Sequence, residues 1–235
     1  MIAGTIHDAS WLVTDRTVGA SQGAFAFGNL AVHVGDEPAA VALNRAALAR
    51  DLGVRGVVFT RAAHSSRVAY VEKVVDDVPG VDALITDRPD LAIAAQGADC
   101  AMVALATSDG WIAAVHCGWQ GLVEGVVANT AKALVEAGAD VDGGIARLGP
   151  NICARCYPVD ADRAATVSRV VPEAVGEHAG SPVIDVRAGV LAQLAECGVR
   201  ATADERCTRE DHDLYSYRRD GVTGRQAIAV VRGAR

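Results

Sequence analysis

Aromatic side chains are scarce: three Trp, four Tyr and three Phe supply only 4% of 235 residues. Individual Trp and Tyr residues therefore become candidates for more than core filling. Positive charge is also in short supply, with 22 Lys and Arg against 29 Asp and Glu and a net charge of -7. That balance argues against a nucleic-acid partner, whose phosphates call for a basic face. The one basic cluster, Arg218, Arg219 and Arg225, suits a single small anion better. Long apolar runs are missing too. Ala101–Ala106 is strand-length, so no membrane span is expected. The opening MIAGTIHDASWLV has no basic start followed by an apolar stretch, so a cytoplasmic location is expected. No repeat, low-complexity tract or linker interrupts the chain, and residues 1–235 read as a single domain. No signal of an oligomeric state is identified.

Apolar residues make up 51% and charged residues 22%, which is enough for a substantial core. The six cysteines are then expected to stay reduced and to serve as packing, ligand or nucleophile. A helix is predicted from Pro38 to Leu52, with Asp36 able to cap it and Gly53 ending it. Val41, Leu48 and Leu52 share one face, and polar Asn44 lies on the same stripe. Strands are predicted at Val57–Thr60, Val68–Val71, Ala83–Thr86, Ala101–Ala106, Trp111–Val115, Ile145–Leu148 and Ala227–Val231. Further helices are predicted at Leu122–Glu136, Ala161–Val175 and Val186–Cys197, the last capped by Asp185 and ended by Gly198. The pattern reads as a mixed α/β (α+β) domain, sheet layers flanked by helices.

His64 lies between two predicted strands. Asp99 and Cys100 stand at the mouth of an apolar strand, where a carboxylate needs a partner. His116 ends WIAAV before Cys-Gly-Trp-Gln-Gly and a helix, and such a strand–turn–helix junction aims backbone N–H groups at an anion. Two His and one Cys from three strand ends would leave a fourth position open, the pattern of catalytic zinc.

The residues in order are Arg16, Gly19 and Ser21, then Asn29-Leu30, Val34-Gly35-Asp36 and Asn44-Arg45. His64, Ala98-Asp99-Cys100, HCGWQG from His116, LGPNICARCYPV from Leu148, Cys207-Thr208 and YSYRRDGVTGRQ from Tyr215 follow. In this order and spacing the chain resembles, nearly end to end, the laccase-domain (YfiH-like) family. Its members are described both as polyphenol oxidoreductases and as purine nucleoside phosphorylases. The resemblance implies one compact α/β domain with zinc held by His64, Cys100 and His116. It also implies phosphorolysis of adenosine, inosine, guanosine and methylthioadenosine, and deamination of adenosine. Nucleoside and phosphate are the implied partners. Departures from the family pattern are Ala62 and Ser65 beside the first His, Cys117 and Gln120 in the turn after His116, Asn151 and Pro158. Gln120 replaces an Arg, which removes one cation from the anion-facing turn.

On this basis Cys100, His116 and Asp99 are catalytic candidates, Asp99 as a proton shuttle. Arg16, Asn29, Arg45, Arg218 and Arg225 are candidates for substrate or phosphate. Copper is the alternative metal, since His and Cys bind it well, although a laccase needs several coppers. A metal-free alternative makes Cys100 a nucleophile activated by His116, as in an amidase of cell-wall precursors. Cys153-x-x-Cys156 could bind zinc or carry electrons, but the sequence holds no second CxxC to complete a site. Cys156 is expected to pack near Tyr157, and Cys197 to be core.

Overall fold

The computed structural model describes residues 1–233. Along the chain come β1 (Ile2–Ile6), β2 (Ala9–Val13), α1 (Pro38–Asp51), β3 (Val57–Arg61), β4 (Val68–Tyr70) and β5 (Val78–Pro79). Then follow β6 (Ala83–Thr86), β7 (Ala92–Gly97), β8 (Ala101–Ala106), β9 (Ile112–Cys117), α2 (Trp119–Glu124) and α3 (Val126–Glu136). The last part holds β10 (Ile145–Leu148), α4 (Ala161–Ser168), β11 (Val175–His178), β12 (Ser181–Ile184) and α5 (Val186–Glu196). It closes with β13 (Arg200–Ala203), α6 (Tyr217–Asp220) and β14 (Gln226–Arg232).

Two six-stranded mixed sheets carry the fold, in orders β1-β2-β14-β7-β3-β5 and β13-β10-β8-β9-β6-β4; β11 and β12 form a separate hairpin. The sheets lie face to face. Side chains alternate across each strand, so Ile228 and Val230 of β14 meet Met102 and Ala104 of β8 and Ile112 and Ala114 of β9 in the layer between them. The alternate residues of β8 and β9, among them Val103, Leu105, Val115 and Cys117, face α2, α3 and α5. On the far side, Ala94, Ala227 and Ala229 pack with Leu48 of α1. The order of layers is helix, sheet, sheet, helices. Because β7, β8 and β9 are buried on both faces, β8 reads as an unbroken apolar run and β7 and β9 as apolar runs up to Gln96 and His116, although most of their pairings are antiparallel. The mixed α/β architecture expected from the sequence is the one observed.

Several local expectations are corrected. Asp36 does not cap α1. Its carboxylate accepts from Ser21 Oγ and Asn29 Nδ2, and the cap position falls to Glu37. The helix expected at Leu122–Glu136 begins at Trp119 and breaks at Gly125, which takes the left-handed conformation (φ 75°). The helix expected to reach Val175 stops at Ser168, because Pro172 disfavours helix in the residue before it and Val171 is at φ -137°. Strands β1, β2, β5, β7, β11, β12 and β13 lie where none was predicted. The alanines of β7 carry little strand preference of their own. Asn44, the polar residue on the apolar stripe, is buried: its amide donates to Ser21 Oγ and to the carbonyls of Phe27 and Asn29, and its oxygen accepts from Ala20 N. It pins the loop that runs over the first sheet.

Candidate metal centre

The link from β7 to β8 carries the chain from the first sheet to the second, and Cys100 sits at its end. His116 lies at the end of its strand as expected, the penultimate residue of β9 and opposite Met102. By strand alternation Cys100, Met102 and His116 share the inter-sheet face, while Cys117 points into the helix-side core. His64 arrives from the first sheet, on the loop after β3, with φ 56°. The three converge where the two sheets open at one end.

Their ligand atoms lie within 4.8 Å of one another, with Cys100 Sγ 3.8 Å from His64 Nε2. The two imidazoles meet edge to face, centroids 5.0 Å apart. Gly118 leaves the room they need, since a Cβ there would stand 3.1 Å from Cys100 Sγ and from His64 Cδ2. This donor set fits a metal: one thiol and two imidazoles, with space on one side.

Asp82, at the start of β6, organises the centre. It is fully buried and accepts from His116 Nδ1 at 2.9 Å, which leaves His116 Nε2 for a ligand. The same carboxylate accepts from the backbone N–H groups of Ala63, His64 and Ser65 and from Ser65 Oγ. Burial raises the Asp82 pKa, but His116 and Ser65 outweigh it and hold the group well below the usual carboxylate range. A carboxylate behind a ligating histidine sets its tautomer and orientation. Asp82 was missed in the sequence. Its only signal there is an acid at the head of an apolar strand, and Ser65, a family departure, is one of its donors. With no metal bound, burial raises the Cys100 thiol pKa, yet the charge of His116 and hydrogen bonds from both histidines bring it down to about 6. Burial lowers His116, but Cys100 and Asp82 push it up to about 9. The pair is poised as thiolate and imidazolium.

The cluster opens into a cavity of ≈ 410 Å³. Arg218 and Arg225 line it, as does Arg163, which the sequence did not single out. The Arg163 guanidinium stacks on Trp119 at 4.9 Å and that of Arg218 on Tyr157 at 4.8 Å, while Arg225 is anchored by the carbonyls of Thr223 and Gly224. The other expected substrate residues lie outside the lining. Arg16 stacks on Tyr215 and pairs with Asp220. Arg45 pairs with Asp77 over the ring of Phe59. Asn29 is buried, and its side-chain oxygen accepts from Arg225 N, so it positions an arginine instead of meeting a ligand. Asp99 (φ 105°) lines the cavity, but its carboxylate is taken up by Thr208 Oγ1, Ser216 Oγ and Arg218 N at 2.6–2.7 Å. Three donors suit a strap that holds the C-terminal segment, not a free proton carrier. The anion site expected at the helix after Gly118 also loses support, because α2 is only six residues long. Gln120 lines the cavity without charge.

A family model described as multi-copper polyphenol oxidoreductase laccase matches residues 10–233. A purine nucleoside phosphorylase of Streptomyces coelicolor is 44% identical over 230 residues, which is 95% of each chain. An adenosine deaminase from an unknown prokaryotic organism is 32% identical, covering 87% of this chain and 86% of its own. The crystal structure of the Neisseria meningitidis protein NMB0706 superposes with a TM-score of 0.90 at 32% identity, covering 99% of both chains. Sequence and fold agree, and the chain belongs to the multi-copper polyphenol oxidoreductase laccase family.

Proposed function

We propose that this chain is a zinc-dependent enzyme of purine nucleosides, phosphorolysing adenosine, inosine, guanosine and methylthioadenosine and deaminating adenosine. The observation that carries it is a two-His, one-Cys cluster opening onto a cavity where Arg163, Arg218 and Arg225 converge. The names of the two relatives, a purine nucleoside phosphorylase and an adenosine deaminase, support the coarser reading of an enzyme acting on nucleosides.

His64, Cys100 and His116 would hold the zinc, with Asp82 fixing His116. Zinc in such a set supplies Lewis acidity and lowers the pKa of water toward about 7. The arginines would grip phosphate, for which planar guanidinium forks are better suited than lysine. Stacking on Trp119 and Tyr157 holds two of those forks in place. In phosphorolysis a phosphate oxygen bonds to C1′ of the ribose as the glycosidic bond breaks, and the purine leaves with the bonding pair and gains a proton. Tyr217, 62% exposed at the cavity rim, is free to lie against a planar base. Asp99 acts as a positioning residue that orders the segment carrying Arg218.

Two other readings have an observation each. The family description names copper, which a His and Cys set also accepts. The Cys100–His116 pair would suit an amidase nucleophile. Zinc-loaded and copper-loaded protein should each be incubated with adenosine, with and without phosphate, and the products separated. Adenine with ribose 1-phosphate, and inosine without phosphate, are expected from the zinc form. Phenol oxidation by the copper form with no nucleoside turnover by either overturns the proposal, as does a thioester trapped on Cys100.

A further inference from the structure

Cys153-x-x-Cys156 has a counterpart that is not another CxxC. The 3-10 turn Ala154–Cys156 brings the first two thiols together. Far along the chain a second turn runs Cys207-x-x-Glu210, closed by Glu210 N donating to Cys207 O. Asn151 and Cys207 pair as a parallel β-bridge, and Thr208 N donates to Asn151 O, so the two turns face each other. Three thiols and one carboxylate thereby place their donor atoms within 4.8 Å of one another.

We propose that Cys153, Cys156, Cys207 and Glu210 form a second, structural zinc site, separate from the His64–Cys100–His116 centre. Four protein ligands and no open position are the mark of structural zinc. Zn–S bonds of about 2.3 Å in a tetrahedron put sulfurs about 3.8 Å apart, so closing from the present spacing takes about 1 Å or less. Cys156 Sγ already stands 3.4 Å from Glu210 Oε1. Cys153 N donates to Cys207 Sγ at 3.3 Å, a contact that favours the thiolate a metal requires. Arg155, 3.3 Å from Glu210, offsets part of the negative charge of the ligand set. All three cysteines are free thiols, and Cys156 and Cys207 are buried with Ile152 in a small apolar cluster. Zinc is favoured over copper(I) because one ligand is a hard carboxylate oxygen. Binding exchanges the three thiol protons for the metal, and no electron is transferred.

The site would staple the two segments that shape one wall of the cavity. Ile152 and Tyr157 flank the first turn and line that cavity. Thr208, next to Cys207, holds Asp99 by its hydroxyl.

The test uses the full chain carrying Cys100→Ala, which removes the first centre and isolates the second. After growth with zinc, anaerobic purification and dialysis, one zinc per chain is expected, against two for the unaltered protein. Zinc-edge absorption spectroscopy should find three sulfur neighbours at about 2.3 Å. Adding Glu210→Gln should weaken zinc retention on the order of 10-fold or more without unfolding the chain. Adding Cys156→Ser should abolish it. If the Cys100→Ala protein retains no zinc, holds zinc with only nitrogen and oxygen neighbours, or has Cys153, Cys156 or Cys207 joined in a disulfide as purified, the proposal is overturned. Each of these outcomes is read on the Cys100→Ala protein alone, so poor folding of the Cys156→Ser protein does not blur the result.

Discussion

The two clusters of candidate metal ligands are built on opposite plans. His64, Cys100 and His116 come from a loop, a strand mouth and a strand interior spread over both sheets, and they face a cavity. Cys153, Cys156, Cys207 and Glu210 come from two tight turns of the same spacing, and only the two flanking residues reach the cavity. The first has three ligands and an open side, backed by a buried carboxylate. The second offers four donors, enough to close a tetrahedral metal site, beside a surface ion pair that is worth little by itself. An open set can act on a substrate, whereas a closed set can only hold chain segments together. On that contrast rest the two proposals, a reactive first cluster and a structural second one.

The contrast can be broken most directly at Cys100. Cys100→Ala should lower turnover of adenosine by more than about 100-fold and remove one metal per chain, read by product analysis and metal content. Equal activity in a chain that has lost that metal would end the assignment of reactivity to the first cluster. Asp82→Asn comes next. It keeps the size of the side chain but removes the charge that His116 and the loop at 63–65 lean on, so metal affinity should fall about 10- to 100-fold, read by competition with a chelator.

A smaller effect is expected at the cavity wall. Arg218→Ala leaves the backbone N–H that Asp99 holds and removes only the guanidinium. Loss of a charge-assisted hydrogen bond costs about 1.5–3 kcal/mol, so the KM for phosphate should rise about 10- to 100-fold, while deamination without phosphate is nearly unchanged. A matching loss in both reactions would make Arg218 a general structural support instead. In the metal-free protein, Cys100 should titrate with a midpoint near 6 in thiolate absorbance, below its ordinary value of 9.0, because His116 stays protonated up to about 9. Raising the pH through 6 should therefore speed alkylation of Cys100, and zinc should block it. Asp82→Asn should move that midpoint upward, since His116 then loses the partner that favours its charge. The smallest effect belongs to the second cluster. Glu210→Gln should lower the Tm by a few degrees in the zinc-loaded protein, at about 2–4 °C per kcal/mol for a chain of this size, and by much less with a chelator present.

Much of the frame was legible from local pattern. Helix α1, the apolar strands β8 and β9, the Asp185 cap of α5 and the absence of a helix that could cross a membrane among the described residues all follow from neighbours in sequence, where periodicity and capping operate. The three candidate ligands of the first centre were readable only as a set, through the order of their motifs. Taken singly, each was an ordinary His or Cys. What stayed hidden depends on which distant backbones pack together. Strand β7 is a strand because the second sheet covers one of its faces and α1 the other, not because alanine prefers that state. The motif order singled out Arg16 and Arg45 and passed over Arg163, yet the fold commits the first two to Asp220 and Asp77 and turns the third into the cavity. Asp82 becomes the support of His116 only when β6 pairs with β9. Cys207-x-x-Glu210 becomes the counterpart of Cys153-x-x-Cys156 only when the bridge at Asn151 brings the two turns face to face. The chemical identity of every donor is written in the chain, but a donor's partner is fixed by long-range packing, which no local period encodes.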